Sequence, residues 1–180
     1  MVKLNLGCGH KHFPKEEGWI NVDYADNSAK KMPDVVADLR KLPFPYDYAD
    51  EIHAIHALEH LYLWDAQEVL NYEWKRVLKP GGLLVIEVPC LNKILQLFKI
   101  PDLHPSATMW GLYGDPRFKD PNMTHRWCYS REMLELMLTD YGYKDIQCLT
   151  PQYHVKERDM RIEAKKAGVT ADDISKKGEV

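Results

Sequence analysis

The chain opens with apolar residues at Val2, Leu4 and Leu6 and polar ones between them, the two-residue period of a strand that buries one face. That run stops at Gly7-Cys8-Gly9. Trp19-Ile20-Asn21-Val22-Asp23 predicts a second strand ending in an acid, and residues 34–39 predict a third, again ending near an acid. Only the polar stretch 10–18, broken by Pro14, separates the first two strands. It is too short for a complete crossover helix, so the first helix is expected to be reduced to a turn or loop. Residues 49–56 predict a fourth strand, with Ile52, Ala54 and His56 on one face and His53 and Ile55 on the other.

The period then changes. Val69, Leu70, Trp74, Val77 and Leu78 recur at helical spacing behind Asp65-Ala66-Gln67-Glu68, a capping-box-like start with Asp in place of Ser or Thr. Lys79-Pro80-Gly81-Gly82 is expected to end that helix, and the apolar run 83–88 reads as a parallel strand covered on both faces. Strand, helix, glycine turn and strand make a βαβ unit, so the sheet is expected to be largely parallel. Residues 89–129 show no period and are rich in Pro, Gly, Asp, His and aromatics; a loop this long in a compact domain is usually functional. Ser130 can cap a helix over residues 132–140 that Gly142 ends, and residues 145–149 and 160–164 predict two closing strands. Residues 170–180 are charged, lack apolar periodicity and read as a frayed tail, leaving one domain over residues 1–169.

Composition narrows the function classes. With 180 residues and a net charge of −3, the chain has the mass of one domain and no electrostatic footprint for a nucleic-acid backbone. It has no apolar run of membrane-spanning length, and the strand pattern at its start leaves no room for a secretory signal. Cys8, Cys90, Cys128 and Cys148 are widely spaced without a Cys-x-x-Cys pair, as expected of reduced thiols in a cytoplasmic protein.

A strand ending in Gly-x-Gly is a candidate ligand cradle, because glycine turns sharply and leaves its N–H groups uncovered. A dinucleotide fingerprint would need glycine at the position of His12, so NAD and FAD are disfavoured. His56, Glu59 and His60 follow the fourth strand in the order His-x-x-Glu-His. That is not the His-Glu-x-x-His of zinc peptidases and no remaining ligand set is evident, so no metal is expected. His53, in mid-strand, reads as a satisfied core histidine.

Five blocks carry a resemblance: LNLGCG at 4–9, GWINVD at 18–23, ADLRKLPFP at 37–45, DEIHAIHALEHL at 50–61 and RVLKPGGLLVIEVP at 76–89, with a weaker match, HRWCYSREML, at 125–134. In this order they resemble the class I S-adenosylmethionine-dependent methyltransferases, especially small type 11-like bacterial and phage members. The resemblance implies a Rossmann-like, doubly wound α/β fold with a mostly parallel seven-stranded sheet whose last strand is antiparallel. It implies S-adenosylmethionine as cofactor, held by Leu6, Gly7, Cys8, Gly9, Asp23, Tyr24, Asp38, Leu39, His56 and Glu59. Asp23 would accept the ribose hydroxyls, while Asp38 and Leu39 would hold the adenine; Asp38 could instead cap the following turn. A hydroxyl acceptor must lose a proton, and His125 and His56 are the candidates to take it.

The acceptor is expected to be a small molecule, with a sugar or nucleotide-sugar hydroxyl as the candidate. Trp110, Tyr113, Trp127 and Tyr129, beside Asp102, Asp115, Asp120, Arg117 and Arg126, would hold it or else pin down the long loop. No Asn/Asp-Pro-Pro-Tyr follows the fourth strand, which argues against nucleic-acid amines. The chain has no helical extension ahead of the first strand, and a homo-oligomer is left open. The alternative is a methyltransferase-like module that binds the cofactor or a partner chain without turnover.

Overall fold

The computed structural model describes residues 1–24 and 32–168. The expected tail at 170–180 lies outside the described residues. Seven strands form one sheet: β1 (Lys3–Leu6), β2 (Trp19–Asp23), β3 (Val35–Val36), β4 (Ala49–Ile55), β5 (Leu78–Pro89), β6 (Tyr143–Leu149) and β7 (Asp159–Lys166). Their order is β3-β2-β1-β4-β5-β7-β6, and β7 alone runs antiparallel to its neighbours, inserted between β5 and β6. The expected sheet and closing hairpin are both present.

The two faces of this sheet differ, and the register shows why. Leu4 pairs with Ile20 and Ile52, and Ile52 with Leu84, so one face is a continuous apolar layer. On it pack α1 (Leu63–Glu68), α2 (Trp74–Val77) and α5 (Arg131–Asp140), whose Ala66, Trp74, Leu134 and Leu138 are fully buried. Ser130 caps α5 as predicted, its side chain accepting from the Met133 N–H at 3.1 Å.

The opposite face carries Asn5, Asn21, His53, Glu87 and Arg161, all buried. Here the first crossover is cut down to a single turn, Lys15–Glu17. In place of a helix, the Asn5 amide donates to the Lys11 carbonyl and to Asn21 Oδ1, and Asn21 holds both the N–H and the carbonyl of Phe13. Phe13 then packs edge-on to Trp19 and His53 and against Tyr153. Polar residues at strand positions thus fix the chain that replaces the missing helix, because a buried amide is stable only with its partners made. His53 is buried as expected but only half satisfied: Nε2 donates to Glu51 at 2.5 Å and Nδ1 has no hydrogen-bond partner among the described residues.

Four local expectations are corrected. β3 is two residues rather than six, because Asp34 turns to accept from Asn21 and Asp38 folds onto Arg40. The helix of the βαβ unit starts at Leu63 behind Tyr62, with no side-chain cap, and Asp65 pairs with Arg40 instead of capping. It runs through a wider π-type turn at Val69–Glu73 into α2. Lys79 to Gly82 do not separate helix from strand: β5 already pairs at Leu78 with Ala49 and resumes at Leu83 with Glu51, so these residues bulge out of β5. The stretch 89–129 is not wholly irregular, since it holds α3 (Leu91–Leu97) and α4 (Met109–Tyr113). No helix among the described residues is long and apolar enough to cross a membrane.

Candidate active site

Strand order reverses between β1 and β4, and in a parallel sheet the crevice at the carboxyl ends of such a pair is where ligands bind. A cleft of about 2010 Å³ opens there. Gly7 and Gly9 form its near wall, and they are glycine for different reasons. A Cβ on Gly7 would stand 2.5 Å from the Ala57 Cβ, so it lets β1 close against the turn after β4. A Cβ on Gly9 would meet nothing within 4 Å, so this residue leaves the cleft open. Both have positive φ, which glycine adopts without strain.

Asp23, at the end of β2, reaches across to the same loop. Its Oδ2 accepts the Gly9 N–H at 2.6 Å and its Oδ1 accepts the Tyr24 N–H at 2.7 Å. Gly7, Cys8, Gly9, Asp23, Tyr24, Asp38, Leu39 and His56 all line the cleft. Leu6 and Glu59 do not; both are buried behind its wall. The Asp38 carboxylate grips the Arg40 guanidinium through both oxygens and accepts the Arg40 N–H, the turn-capping role that its sequence left open. That hydrogen-bonded guanidinium holds its pKa below the ordinary carboxylate value.

The far wall is a cluster of histidines and acids. His56 has φ +50, a strained conformation for a residue with a side chain. Its Nδ1 lies 2.8 Å from Glu59 Oε1 and its Nε2 3.2 Å from Asp159 Oδ2. Burial opposes charge on this ring, but the two carboxylates outweigh it and raise the pKa to about 9. Burial would also raise Glu59 and Asp159, yet the His56 charge, with Arg158 beside Asp159, brings each to about 2. His56 is therefore an imidazolium with both nitrogens engaged. It has no lone pair for a proton, which corrects its expected role as a base.

His125 is held differently. The Arg126 and Trp127 N–H groups both donate to the Glu59 carbonyl, clamping the segment 125–127 onto the turn Leu58–His60. His125 Nδ1 donates to the Gly111 carbonyl at 3.0 Å, which leaves Nε2 with its lone pair, 4.0 Å from Glu59 Oε1. Burial lowers its pKa more than Glu59 raises it, so the ring is neutral at pH 7. His60 stands edge-on to it, ring centroids 4.9 Å apart, with Nδ1 on the Thr124 carbonyl.

Sequence reasoning missed His154, Arg158 and Asp159. His154 packs 3.9 Å from the His56 ring, and burial with that neighbouring charge pulls its pKa down to about 4. His154 and Arg158 approach from the turn before β7 and Asp159 opens that strand, and no local pattern marks them. Of the four aromatics expected at the acceptor, only Trp110 lines this cleft, with the Arg117 guanidinium 4.6 Å over its ring. Tyr129 is fully buried, while Tyr113 and Trp127 lie off the cleft.

The cleft suits S-adenosylmethionine. Open space at Gly9 admits the ligand against the loop backbone, and the Asp23 carboxylate at the same place offers acceptors for a diol. Leu39 gives an apolar edge beyond it.

Comparison with known proteins agrees with this geometry. Residues 4–86 match the family described as a methyltransferase domain. A SAM-dependent methyltransferase from Archaeoglobus fulgidus superposes with a TM-score of 0.64 at 19% identity, over 92% of this chain and 86% of that one. One from Methanosarcina mazei gives 0.62 at 19% identity, over 93% and 92%. A putative methyltransferase of Haloferax volcanii, seen in complex with the Trm112 methyltransferase activator, gives 0.61 at 14% identity, over 92% and 82%. No sequence among the curated proteins matches the chain. The matched segment and the superpositions together show that the chain has the fold of the S-adenosylmethionine-dependent methyltransferases.

Proposed function

We propose that the protein transfers the methyl group of S-adenosylmethionine to a hydroxyl of a small polar acceptor, a sugar or nucleotide-sugar. The observation that carries this reading is that the glycine loop with Asp23 and the neutral His125 ring line one cleft. Asp23 would hold the ribose, Gly7, Cys8 and Gly9 the methionine end, and Tyr24, Asp38 and Leu39 the adenosine, with Leu6 and Glu59 supporting from behind. S-adenosylmethionine supplies an activated methyl on a sulfonium, so alignment supplies most of what the protein must add. The acceptor's hydroxyl also has to lose its proton, and this loss depends on His125. His56 contributes a fixed positive charge on the same wall. Trp110, Arg117, Asp115 and Asp120 line the cleft beyond it, a mixture of ring face and charged groups that suits a hydroxylated acceptor.

The test has two parts. Calorimetry should show S-adenosylmethionine binding that Asp23→Ala weakens roughly tenfold to a hundredfold, the loss of charged hydrogen bonds worth about 1.5–3 kcal/mol. Release of S-adenosylhomocysteine across a panel of sugars and nucleotide-sugars should then identify an acceptor. Cofactor binding with no release on any acceptor would favour a binding module without turnover.

A further inference from the structure

Behind the cleft wall lies a buried carboxylate whose one close partner is the His56 ring. Glu59 is 1% exposed, and neither of its oxygens makes a hydrogen bond among the described residues. His56 pairs with Oε1 by charge at 2.8 Å without hydrogen-bond geometry, which leaves Oε2 with no partner of either kind among the described residues. A buried carboxylate with orphaned oxygens is costly, and a cation is the usual remedy.

The groups beside it are arranged for one. His60 and His125 each direct Nδ1 to a backbone carbonyl, of Thr124 and Gly111, which places the proton on Nδ1 and leaves each Nε2 a lone pair. Fixing a ring by Nδ1–H to a carbonyl is how proteins orient histidines that ligate metals through Nε2. One donor atom from each of Glu59, His60 and His125 lies within 4.8 Å of the others. Tetrahedral zinc with bonds of about 2.0–2.1 Å needs donors roughly 3.4 Å apart, so the separations here, 4.0 Å between His125 Nε2 and Glu59 Oε1 and within 4.8 Å across the three, must close by side-chain adjustment on binding. Both histidines line the cleft, so a fourth position would face the acceptor. Read along the chain, His56, Glu59 and His60 showed no remaining ligand set; the fold adds His125 to Glu59 and His60.

We propose that Glu59, His60 and His125 form a binding site for a divalent transition cation of the zinc type, open toward the acceptor. Two imidazoles and one carboxylate with a vacant position are a ligand set for catalytic zinc. This rests on the proposed function and deepens it by naming how the acceptor loses its proton. A cation there lowers the pKa of a hydroxyl brought to the open position, and the proton passes to solvent water. The oxygen's electron pair then forms the bond to the methyl carbon, the sulfur–carbon bond breaks, and its pair stays on sulfur as S-adenosylhomocysteine. The second cluster, His56, His154 and Asp159, is the competing location. It is less suited, because His56 already uses both nitrogens and Arg158 holds both Asp159 oxygens.

The experiment is a Zn2+ titration of the EDTA-stripped full chain by calorimetry, repeated with Co2+ to read its visible absorption. The expected result is one equivalent bound at micromolar affinity or tighter, weakened at least tenfold by Glu59→Gln, His60→Ala and His125→Ala and unchanged by His154→Ala. His60→Ala, at a half-buried ring, keeps the test valid if Glu59→Gln fails to fold. No saturable binding, binding indifferent to His60 and His125, or binding lost in His154→Ala would each overturn the site. S-adenosylmethionine titrated into the stripped protein separates the two readings: cofactor binding without metal binding overturns only the cation site, and metal binding without cofactor binding overturns only the methyltransferase reading.

Discussion

Two of the buried carboxylates, one inside the sheet and one just past the end of β4, are treated in opposite ways. Glu87, on β5, has its oxygens taken up by Arg161 at 2.9 Å and by the N–H groups of Gln152 and Tyr153 at 2.8 and 3.1 Å. Arg161 is in turn held by Glu163 at 2.7 Å. Glu59, a few residues past the end of β4, is as deeply buried, yet it has only the charge of His56 2.8 Å from Oε1, and its oxygens make no hydrogen bond among the described residues. A fully satisfied buried ion cluster holds chains in place; an unsatisfied one beside a cleft is poised for something that arrives. The contrast separates Glu87, which ties the sheet to residues 152–153, from Glu59, which stands behind the cleft wall.

The sharpest way to break that contrast is at the cleft. His125→Ala should lower turnover by roughly 100- to 10,000-fold, the range for loss of a group that assists proton transfer. Its affinity for S-adenosylmethionine, measured by calorimetry, should stay within about twofold. Glu87→Ala should do the reverse. It leaves Arg161 buried without its main partner and frees the backbone of residues 152–153, so denaturant unfolding should show a loss of about 3–5 kcal/mol. Cofactor affinity, measured where the variant is still folded, should change little.

How much of this was legible in the sequence follows the same division. The strands, the Ser130 cap and the closing hairpin could be read because alternation and capping are local signals. The short β3 and the early start of α1 could not, because Asp34, Asp38 and Asp65 spend their carboxylates on Asn21 and Arg40, choices made by the tertiary fold. At the site, Gly7, Gly9 and Asp23 announced themselves by spacing. The pairing of His56 with Asp159 spans 103 residues and leaves no trace in any window of the sequence. The same distance effect hid the fact that His125 sits over Glu59.

A smaller effect concerns pH. The His56 pKa is raised from 6.5 to about 9, so its contribution to stability is fully present below about pH 6.5 and is lost as pH rises through 9. Glu59 and Asp159 are lowered from 4.5 and 3.8 to about 2, so theirs is present above about pH 4.5 and lost as pH falls toward 2. This cluster should therefore favour the fold most between about pH 4.5 and 6.5. Melting temperature followed from pH 6 to 10 should fall more in the wild type than in His56→Gln. The smallest change is expected at Tyr143→Phe, which loses one hydrogen bond from its buried hydroxyl to the Leu70 carbonyl. That should cost about 1 kcal/mol in the same denaturant assay and leave the cleft untouched.

The central claim is that the glycine loop and the histidine wall serve one ligand, with the reactive methyl turned toward His125. Cross-relaxation in NMR between the 13C-labelled methyl of bound S-adenosylmethionine and the His125 ring protons tests it most directly. The account predicts that contact, lost in His125→Ala while the ligand stays bound. A bound methyl that instead contacts Tyr24 or Leu39, with no transfer to His125, would contradict it.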